Sequence, residues 1–286
     1  MSRFWHSIDL LLRRNPLLPR CAPVRNLLRR PYHWMMSLGG GLPLNIGGVL
    51  PVRLPARYLA REQEFYEAEN YRALKSWIDD HEDCAIVDIG CSFGYFSCAA
   101  LFQPAVSQVL AIDADRESLG ITNAVCQYAP RVEHRLILVN CLISSRPEGT
   151  ADVESLRRAT KHLFSSGTLS GRAENAQYVN ADTAITADLL PRVPLDQLVP
   201  ACIGANCPLL IKVDVEGAEL IVLQGAVELL SQRRPTLLLS VHPGFLPRFG
   251  ASTDDVVALL RKHGYAWTVL SIDHEEHWLC TPGTAE

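Results

Sequence analysis

The sequence has no long hydrophobic segment and carries little charge. Its apolar runs stay far below the ~18 residues that a membrane-spanning helix needs. Charged residues make up 20% of the chain and hydrophobic residues 48%, which excludes a disordered or fibrous protein. The 286 residues are enough for one large domain or two small ones, with a substantial buried core.

A disulfide framework is also absent. The nine cysteines are an odd number without framework spacing. Two of them, Cys91 and Cys98, lie in what reads as a strand, a loop and a helix. We therefore predict free thiols in a reducing compartment, which favours a cytoplasmic protein.

Lysine is missing from residues 1–60, where nine arginines stand against one acid, Asp9. This segment carries a formal charge of +8, so the remainder carries −12 within a whole-chain charge of −4. We predict that residues 1–30 bind weakly to an anionic membrane or acceptor, in a salt-dependent manner. The alternative is a solvated extension. Nucleic acid is not expected, because the body is acidic and the arm shows no nucleic-acid-binding fold.

From residue 84 onward, short apolar runs alternate with helical periods. The predicted strands are 85–89, 109–113, an extended stretch over 132–143, 209–213, 236–241, 267–272 and 277–280. The predicted helices are 95–102, 117–128, 219–230 and 253–263, preceded by a short hairpin near 49–54 and a helix over 61–79. This alternation predicts an α/β domain over residues 58–286, with a mostly parallel, doubly wound sheet, after a basic extension over 1–57. The last two strands must be antiparallel neighbours because only a few residues join them.

Ligands of doubly wound sheets bind at the carboxyl ends of the strands. The first strand and its loop read VDIGCSFGY over residues 87–95, with the spacing G-x-x-x-G. The dinucleotide pattern G-x-G-x-x-G is absent, which argues against NAD or FAD. Asp88 precedes this turn and Asp113 ends the next strand, where an acid commonly binds ribose hydroxyls. Together they favour a nucleoside ligand that is cationic or rich in hydroxyls. Alternatively, Asp88 is only a turn residue and Asp113 only a helix cap.

Two motifs resemble those of FkbM-type methyltransferases. VDIGCSFGYF at 87–96 is similar to the first motif of that family, and IKVDVEGAE at 211–219, continuing as VLQGA at 222–226, is similar to a more specific second motif. The resemblance covers roughly residues 61–282. The chain departs from it at Cys91 and Ser92, where Ala-Asn is common, and at Ser240, where an acid is common.

This resemblance implies a Rossmann-like methyltransferase fold with a seven-stranded sheet that uses S-adenosylmethionine, generally on a hydroxyl oxygen. It implies cofactor-binding residues in the first loop and at the end of the second strand: Asp88, Gly90 and Gly94 on the methionine side, and Asp113 on the ribose. Ser92, in the same loop, is a further candidate for cofactor binding. An acid near the first turn suits the sulfonium cation of this cofactor.

Candidate catalytic residues lie at the later strand ends. Asp214 and Glu216 follow the fourth strand, His242 follows the fifth, and the run DHEEH at 273–277 forms the turn after the sixth. Since these strands run the same way, we expect their ends to share one crevice. His242 is the predicted general base, with a pKa near its ordinary ~6.5. Alternatively, Glu216 and Glu219 only cap the helix that follows, His242 lies in a turn, and the run 273–277 is a solvated hairpin tip. Lys212 is expected to pair with a carboxylate.

The sequence does not predict a dedicated metal site. The histidines and acids at 273–277 lack the spacing H-E-x-x-H, and Cys202 and Cys207 have no second pair to complete a zinc site. Mg²⁺ held by strand-end carboxylates stays an alternative.

The predicted function is therefore O-methylation of a hydroxyl on a small molecule or glycan, such as a sugar or a glycosylated metabolite. The other class is a cofactor-binding module without turnover, or a scaffold that acts through its basic arm. The sequence names neither the acceptor nor the oligomeric state; the irregular 144–207 segment is expected to shape the acceptor pocket.

Overall fold

The computed structural model describes residues 40–59, 61–146, 153, 155, 156 and 190–283. The predicted interaction of residues 1–30 lies outside these ranges, as does most of the irregular segment expected to shape the acceptor pocket. None of the helices within these ranges has the length and apolar character needed to cross a lipid bilayer.

A seven-stranded sheet forms the centre of the described chain. In chain order its strands are β3 (Cys84–Ile89), β4 (Val106–Asp113), β5 (Leu136–Asn140), β8 (Leu209–Val213), β9 (Thr236–Val241), β10 (Tyr265–Ile272) and β11 (Glu276–Pro282). Their spatial order is β10-β11-β9-β8-β3-β4-β5. Every pairing is parallel except those of β11, which runs antiparallel between β9 and β10. The predicted Rossmann-like architecture with an antiparallel last strand is confirmed.

Seven helices accompany the sheet in the described ranges. They are α1 (Ala68–Asp79), α2 (Tyr95–Leu101), α3 (Arg116–Cys126), α4 (Val132–Arg135), α5 (Leu195–Cys202), α6 (Glu219–Gln224) and α7 (Thr253–Lys262). Two of them have strong start signals: Asp115 accepts hydrogen bonds from the first backbone N–H groups of α3, and Ser252 with Asp255 forms a capping box on α7. All residues of β3 and β8 are buried, as expected for central parallel strands covered on both faces.

Several predicted elements have different limits, and three of them show why. The helix expected from residue 61 begins at Ala68, because Glu67 takes a left-handed conformation with φ of 46°. The extended stretch expected from residue 132 opens with the helical turn α4, which buries Arg135 so that its guanidinium donates to the backbone carbonyls of Gln103 and Val106. The helix predicted to run to residue 230 ends at Gln224 and is followed by a π-helical turn, Leu229–Arg233.

The hairpin predicted near residues 49–54 is present as β1 (Leu42–Ile46) and β2 (Leu50–Leu54). Its apolar side chains share one buried cluster with residues of α2 and β3. Outside the main sheet, β6 (Leu142–Ile143) and β7 (Arg192–Val193) also form a short pair, and this one is parallel. The division of the chain at residue 57 stays a prediction.

Candidate active site

The backbone conformation of the loop after β3 is set by its close contacts with other parts of the protein. Gly90, Ser92 and Gly94 all have left-handed backbones, with φ of 76°, 47° and 72°. A Cβ on Gly90 would lie 1.8 Å from the carbonyl oxygen of Asp214, and one on Gly94 would lie 2.6 Å from Thr122. Only glycine therefore lets the loop lie against β8 on one side and α3 on the other.

Asp88 lies beneath this loop with no exposed surface. Ser97 Oγ donates a 2.6 Å hydrogen bond to Asp88 Oδ2, while Oδ1 has no hydrogen-bond partner among the described residues. Burial raises the pKa of this carboxyl, and the nearby Lys212 ammonium opposes the shift. Asp88 thus ties β3 to α2 and keeps one buried acceptor free.

Asp113 is the partly exposed acid at the end of β4. Its Oδ2 accepts from the backbone N–H of Ser92 at 2.9 Å, and its Oδ1 accepts from that of Asp115 at 2.8 Å. Burial raises the pKa of Asp113 to about 6, although these two backbone donors act in the opposite direction. The carboxylate is therefore fixed in place beside the glycine loop.

Asp214 follows β8 and pairs with Lys212, as the sequence predicted for that lysine. Lys212 Nζ donates to Asp214 Oδ2 at 2.7 Å. Burial alone would raise the pKa of Asp214 and lower that of Lys212, but their pairing lowers the first and, with other nearby carboxylates, raises the second well above its ordinary value. Asp214 Oδ1 is left to face His242 Nε2 at 3.8 Å.

His242 follows β9 and is enclosed by carboxylates. Its Nδ1 donates to Glu219 Oε1 at 2.7 Å, and Glu275 Oε2 lies 2.5 Å from its Nε2. The side chain is 2% exposed. Burial would lower the pKa of His242, but these two glutamates raise it to about 10. The expectation of an ordinary pKa is therefore wrong, because two buried acids stabilise the protonated ring.

Glu216 is the outermost member of this group. Its Oε2 lies 3.7 Å from His242 Nε2, and its side chain is 49% exposed. Its backbone is left-handed, with φ of 51°, in the turn between β8 and α6. Burial raises its pKa, although the charge of His242 opposes this shift.

Glu219 and Glu275 are the residues that sequence reasoning did not assign to the site. Glu219 was expected only as a helix cap, and it does accept from the backbone N–H of Gly217 at 2.9 Å. Glu275 was expected only as an unspecified member of the candidate run 273–277, or as part of a solvated hairpin tip, yet it is 3% exposed. Its Oε1 lies 3.5 Å from Nε2 of the fully buried His277. The acidic run at 273–277 was the available signal, but nothing in its spacing shows which member turns inward.

His277, which lies next to Glu275, contacts two other polar side chains. Asn70 Nδ2 donates to His277 Nδ1 at 2.8 Å, and Ser240 Oγ lies 3.1 Å from the same nitrogen. Ser240, where an acid is common in the resembled family, thus contacts a histidine instead.

The described contacts form two groups: Asp88 and Asp113 around the glycine loop, and Asp214, Glu216 and His242 with Glu219 and Glu275 beyond β8 and β9.

Both groups lie at the carboxyl ends of the parallel strands, where ligands of such sheets bind. A broad cavity of about 1010 Å³ lies instead at the opposite edge, lined by residues that precede β3, β4 and β8, such as Asp83, Ala105 and Pro208. It contains none of the predicted site residues. The strand-end groups are therefore the candidate active site.

Comparisons with known proteins point to one family. A family model described as the methyltransferase FkbM domain matches residues 88–266, more than half of the chain. That match spans both groups of site residues except for Glu275 and its neighbours. No curated protein matches the chain significantly.

Several solved methyltransferases are similar to the chain at low identity. The FkbM methyltransferase from Methylobacillus flagellatus KT is 17% identical over 79% of this chain and 56% of that one, with a TM-score of 0.44. The precorrin-6y C5,15-methyltransferase of Geobacter metallireducens GS-15 is 13% identical over 80% and 92%, with a TM-score of 0.42. The magnesium protoporphyrin IX methyltransferase of Synechocystis PCC 6803, solved with bound S-adenosylhomocysteine, is 13% identical over 79% and 89%, with a TM-score of 0.39. The chain thus spans little more than half of the first of these proteins.

Proposed function

The chain belongs to the FkbM methyltransferase family, and from that premise we propose that it transfers a methyl group from S-adenosylmethionine to the oxygen of a hydroxyl group. The observation that carries the choice of oxygen is the buried group of acids around His242, which offers a proton acceptor and hydrogen-bonding groups at the strand ends. An alcohol must shed a proton as its oxygen is methylated, whereas an amine needs little beyond desolvation.

The residues around the glycine loop fit the cofactor. Asp113 presents a fixed carboxylate where ribose hydroxyls are bound in this class of sheet. Asp88 keeps a buried oxygen without a partner, next to the turn formed by Gly90, Ser92 and Gly94. When bound there, S-adenosylmethionine supplies an activated methyl group, and its sulfonium charge suits these acids.

Glu216 is the proposed proton acceptor. Of the three acids within 3.8 Å of His242 Nε2, it has the most exposed side chain, at 49% against 20% for Asp214 and 2% for Glu275. A base must reach the hydroxyl that it deprotonates, and the enclosed His242 has less access. Asp214 then holds the acceptor, and His242 keeps the surrounding carboxylates in place. The acceptor stays aligned with the methyl group, which alone gives much of the acceleration of an in-line displacement.

The proposed acceptor is a sugar or a glycosylated metabolite. Such molecules offer several hydroxyls that carboxylates and an imidazole can bind by hydrogen bonds. Residues 1–30, with their arginines, are proposed to contact an anionic membrane or acceptor weakly. Deleting them should leave cofactor affinity intact, and a protein that unfolds without them would place the arm in the folded core.

Labelled methyl transfer tests the reaction. The full chain is incubated with methyl-labelled S-adenosylmethionine and fractionated sugars, glycosides and hydroxylated metabolites, with and without chelator. Glu216→Gln should lower turnover by ~10²–10⁴ with little change in cofactor affinity. Glu133→Gln, a change in an exposed acid outside the strand-end groups, serves as the control. Label found only on nitrogen or carbon would refute the oxygen assignment, and full activity of Glu216→Gln would remove its role as base.

The same assay separates the second function class. A cofactor-binding module or scaffold would bind S-adenosylhomocysteine tightly in calorimetry and still label no acceptor in any fraction. It would also tolerate loss of the acids around His242, since an idle site has no use for a proton acceptor.

A further inference from the structure

We propose that the chain binds a divalent transition-metal cation between Asp214, His242 and Glu275, which lie at the ends of β8 and β9 and in the turn from β10 to β11. One ligand atom of each of these residues lies within 4.8 Å of the other two. Small side-chain rotations would bring them to the ~2.0–2.2 Å at which carboxylate oxygens and imidazole nitrogens coordinate such ions.

Each of the three side chains has one atom that contacts another residue and a second atom that faces this cluster. Asp214 Oδ2 accepts from Lys212 at 2.7 Å, which leaves Oδ1 facing His242. Glu275 Oε1 lies 3.5 Å from His277 Nε2, which leaves Oε2 on the side of His242. Asp214 is thus anchored by a hydrogen bond on one oxygen and open on the other, whereas Glu275 Oε1 only lies near His277. The open oxygen of each carboxylate is suited to coordinate an ion.

Two of the three open atoms are buried and lack hydrogen bonds. His242 and Glu275 are 2% and 3% exposed, yet neither His242 Nε2 nor Glu275 Oε2 has a hydrogen-bond partner among the described residues. They lie 2.5 Å apart, but not in hydrogen-bonding geometry. Because a buried polar atom without a hydrogen bond is costly, a cation that contacts both atoms would stabilise them.

Glu219 supports the same interpretation, because it binds the other ring nitrogen of His242. It binds His242 Nδ1 at 2.7 Å and also accepts from a backbone N–H, so its own position is fixed. Histidines that bind metals usually donate their other ring N–H to a carboxylate in this way, which directs the remaining nitrogen lone pair at the ion.

The ligand set indicates the kind of cation. Two carboxylates and one imidazole suit first-row divalent ions such as Mn²⁺, Fe²⁺ or Zn²⁺ better than Mg²⁺, which prefers oxygen ligands throughout. At the acceptor, such an ion would lower the pKa of a coordinated hydroxyl. That role rests on the proposed methyl transfer, whereas binding of the ion does not.

Electron paramagnetic resonance of Mn²⁺ tests the site without any methyl transfer. The full chain is freed of metal with chelator and titrated with MnCl₂, and the loss of the free-ion signal measures binding. We expect one strong Mn²⁺ site per chain, with tighter binding than that of Mg²⁺ in competition. A wild-type chain that binds no Mn²⁺ stoichiometrically, or one that prefers Mg²⁺, would overturn the proposal whatever its enzymatic activity.

Single variants then locate the ion. Glu275→Gln should weaken Mn²⁺ binding at least ~10-fold, and Glu219→Gln, which leaves all three ligands in place, should weaken it by ~10–100-fold. Glu276→Gln is the matched control, because that neighbouring side chain instead accepts a hydrogen bond from Trp278.

His274→Ala should also bind Mn²⁺ normally. Loss of binding in that variant would move the ion to the other acidic triad, Asp273, His274 and Glu275, and refute the assigned site. Undiminished binding by Glu275→Gln would refute it as well, and unfolding of that variant would leave Glu219→Gln as the deciding measurement.

Discussion

Cofactor affinity should depend on pH through Asp113. Burial raises the pKa of this carboxyl to about 6 in the free protein, so about nine tenths of it is ionised at pH 7 and about one tenth at pH 5. Ribose hydroxyls donate to the ionised form and would keep it ionised in the complex. Affinity for S-adenosylhomocysteine should therefore fall about tenfold between pH 7 and pH 5, as the free protein must give up a proton to bind. Isothermal titration calorimetry at both values measures this ratio.

Two variants determine whether the pH dependence belongs to this residue. Asp113→Asn keeps the side-chain shape but loses the charge, so its affinity at pH 7 should fall about 10–100-fold, as expected for charge-assisted hydrogen bonds. Its pH dependence should disappear. Asp79→Asn is the control, because that exposed carboxylate instead pairs with Lys75 on α1. A tenfold change that persists in Asp113→Asn would refute the reasoning.

Three further substitutions test the framework of the site by urea unfolding. Gly90→Ala forces a left-handed alanine against the carbonyl oxygen of Asp214 and should destabilise the fold by about 3 kcal/mol or more; an unchanged midpoint would show that the loop can move away. Ser97→Ala removes the hydrogen bond to the buried Asp88 and should cost about 1–3 kcal/mol. Lys212→Met leaves a buried carboxylate without its cation and should cost about 3–5 kcal/mol, and a neutral result would mean that water or a proton replaces the ammonium.

A second glycine serves as the control for the first of these. Gly204 has no heavy atom within 4 Å of the Cβ that alanine would add. Gly204→Ala should therefore leave the unfolding midpoint nearly unchanged. If both substitutions destabilise the protein equally, the close approach at Gly90 is not the cause.

The sheet could be predicted because its strands are marked locally. β3, β8 and β9 are short apolar runs bounded by turns, and the few residues between β10 and β11 force an antiparallel pair. The limits of the helices were less accurate, since backbone angles such as that of Glu67 depend on the surrounding fold. Topology alone then placed Asp214 and His242 at the same edge.

The internal contacts of the site could not be predicted in the same way. Glu219 and Glu275 are separated by 56 positions, yet both contact the ring of His242. Which acid of the run at 273–277 turns inward depends on the β10–β11 turn, and the sequence has no period that encodes it. The raised pKa of His242 follows directly from these two contacts, so it could not be foreseen either.

The charge balance of the site connects the proposed reaction to the proposed ion. Four carboxylates, those of Asp214, Glu216, Glu219 and Glu275, surround His242, while Lys212 is the neighbouring permanent cation. Methyl transfer disperses the positive charge of the sulfonium, so a strongly anionic site near the cofactor would stabilise the reactants more than the transition state and slow the reaction. A proton on His242 or a divalent ion beside it offsets this excess of negative charge. Only the ion would leave the imidazole uncharged and add a contact that strengthens as the acceptor oxygen loses its proton, which would make it the more effective of the two for methylating a hydroxyl.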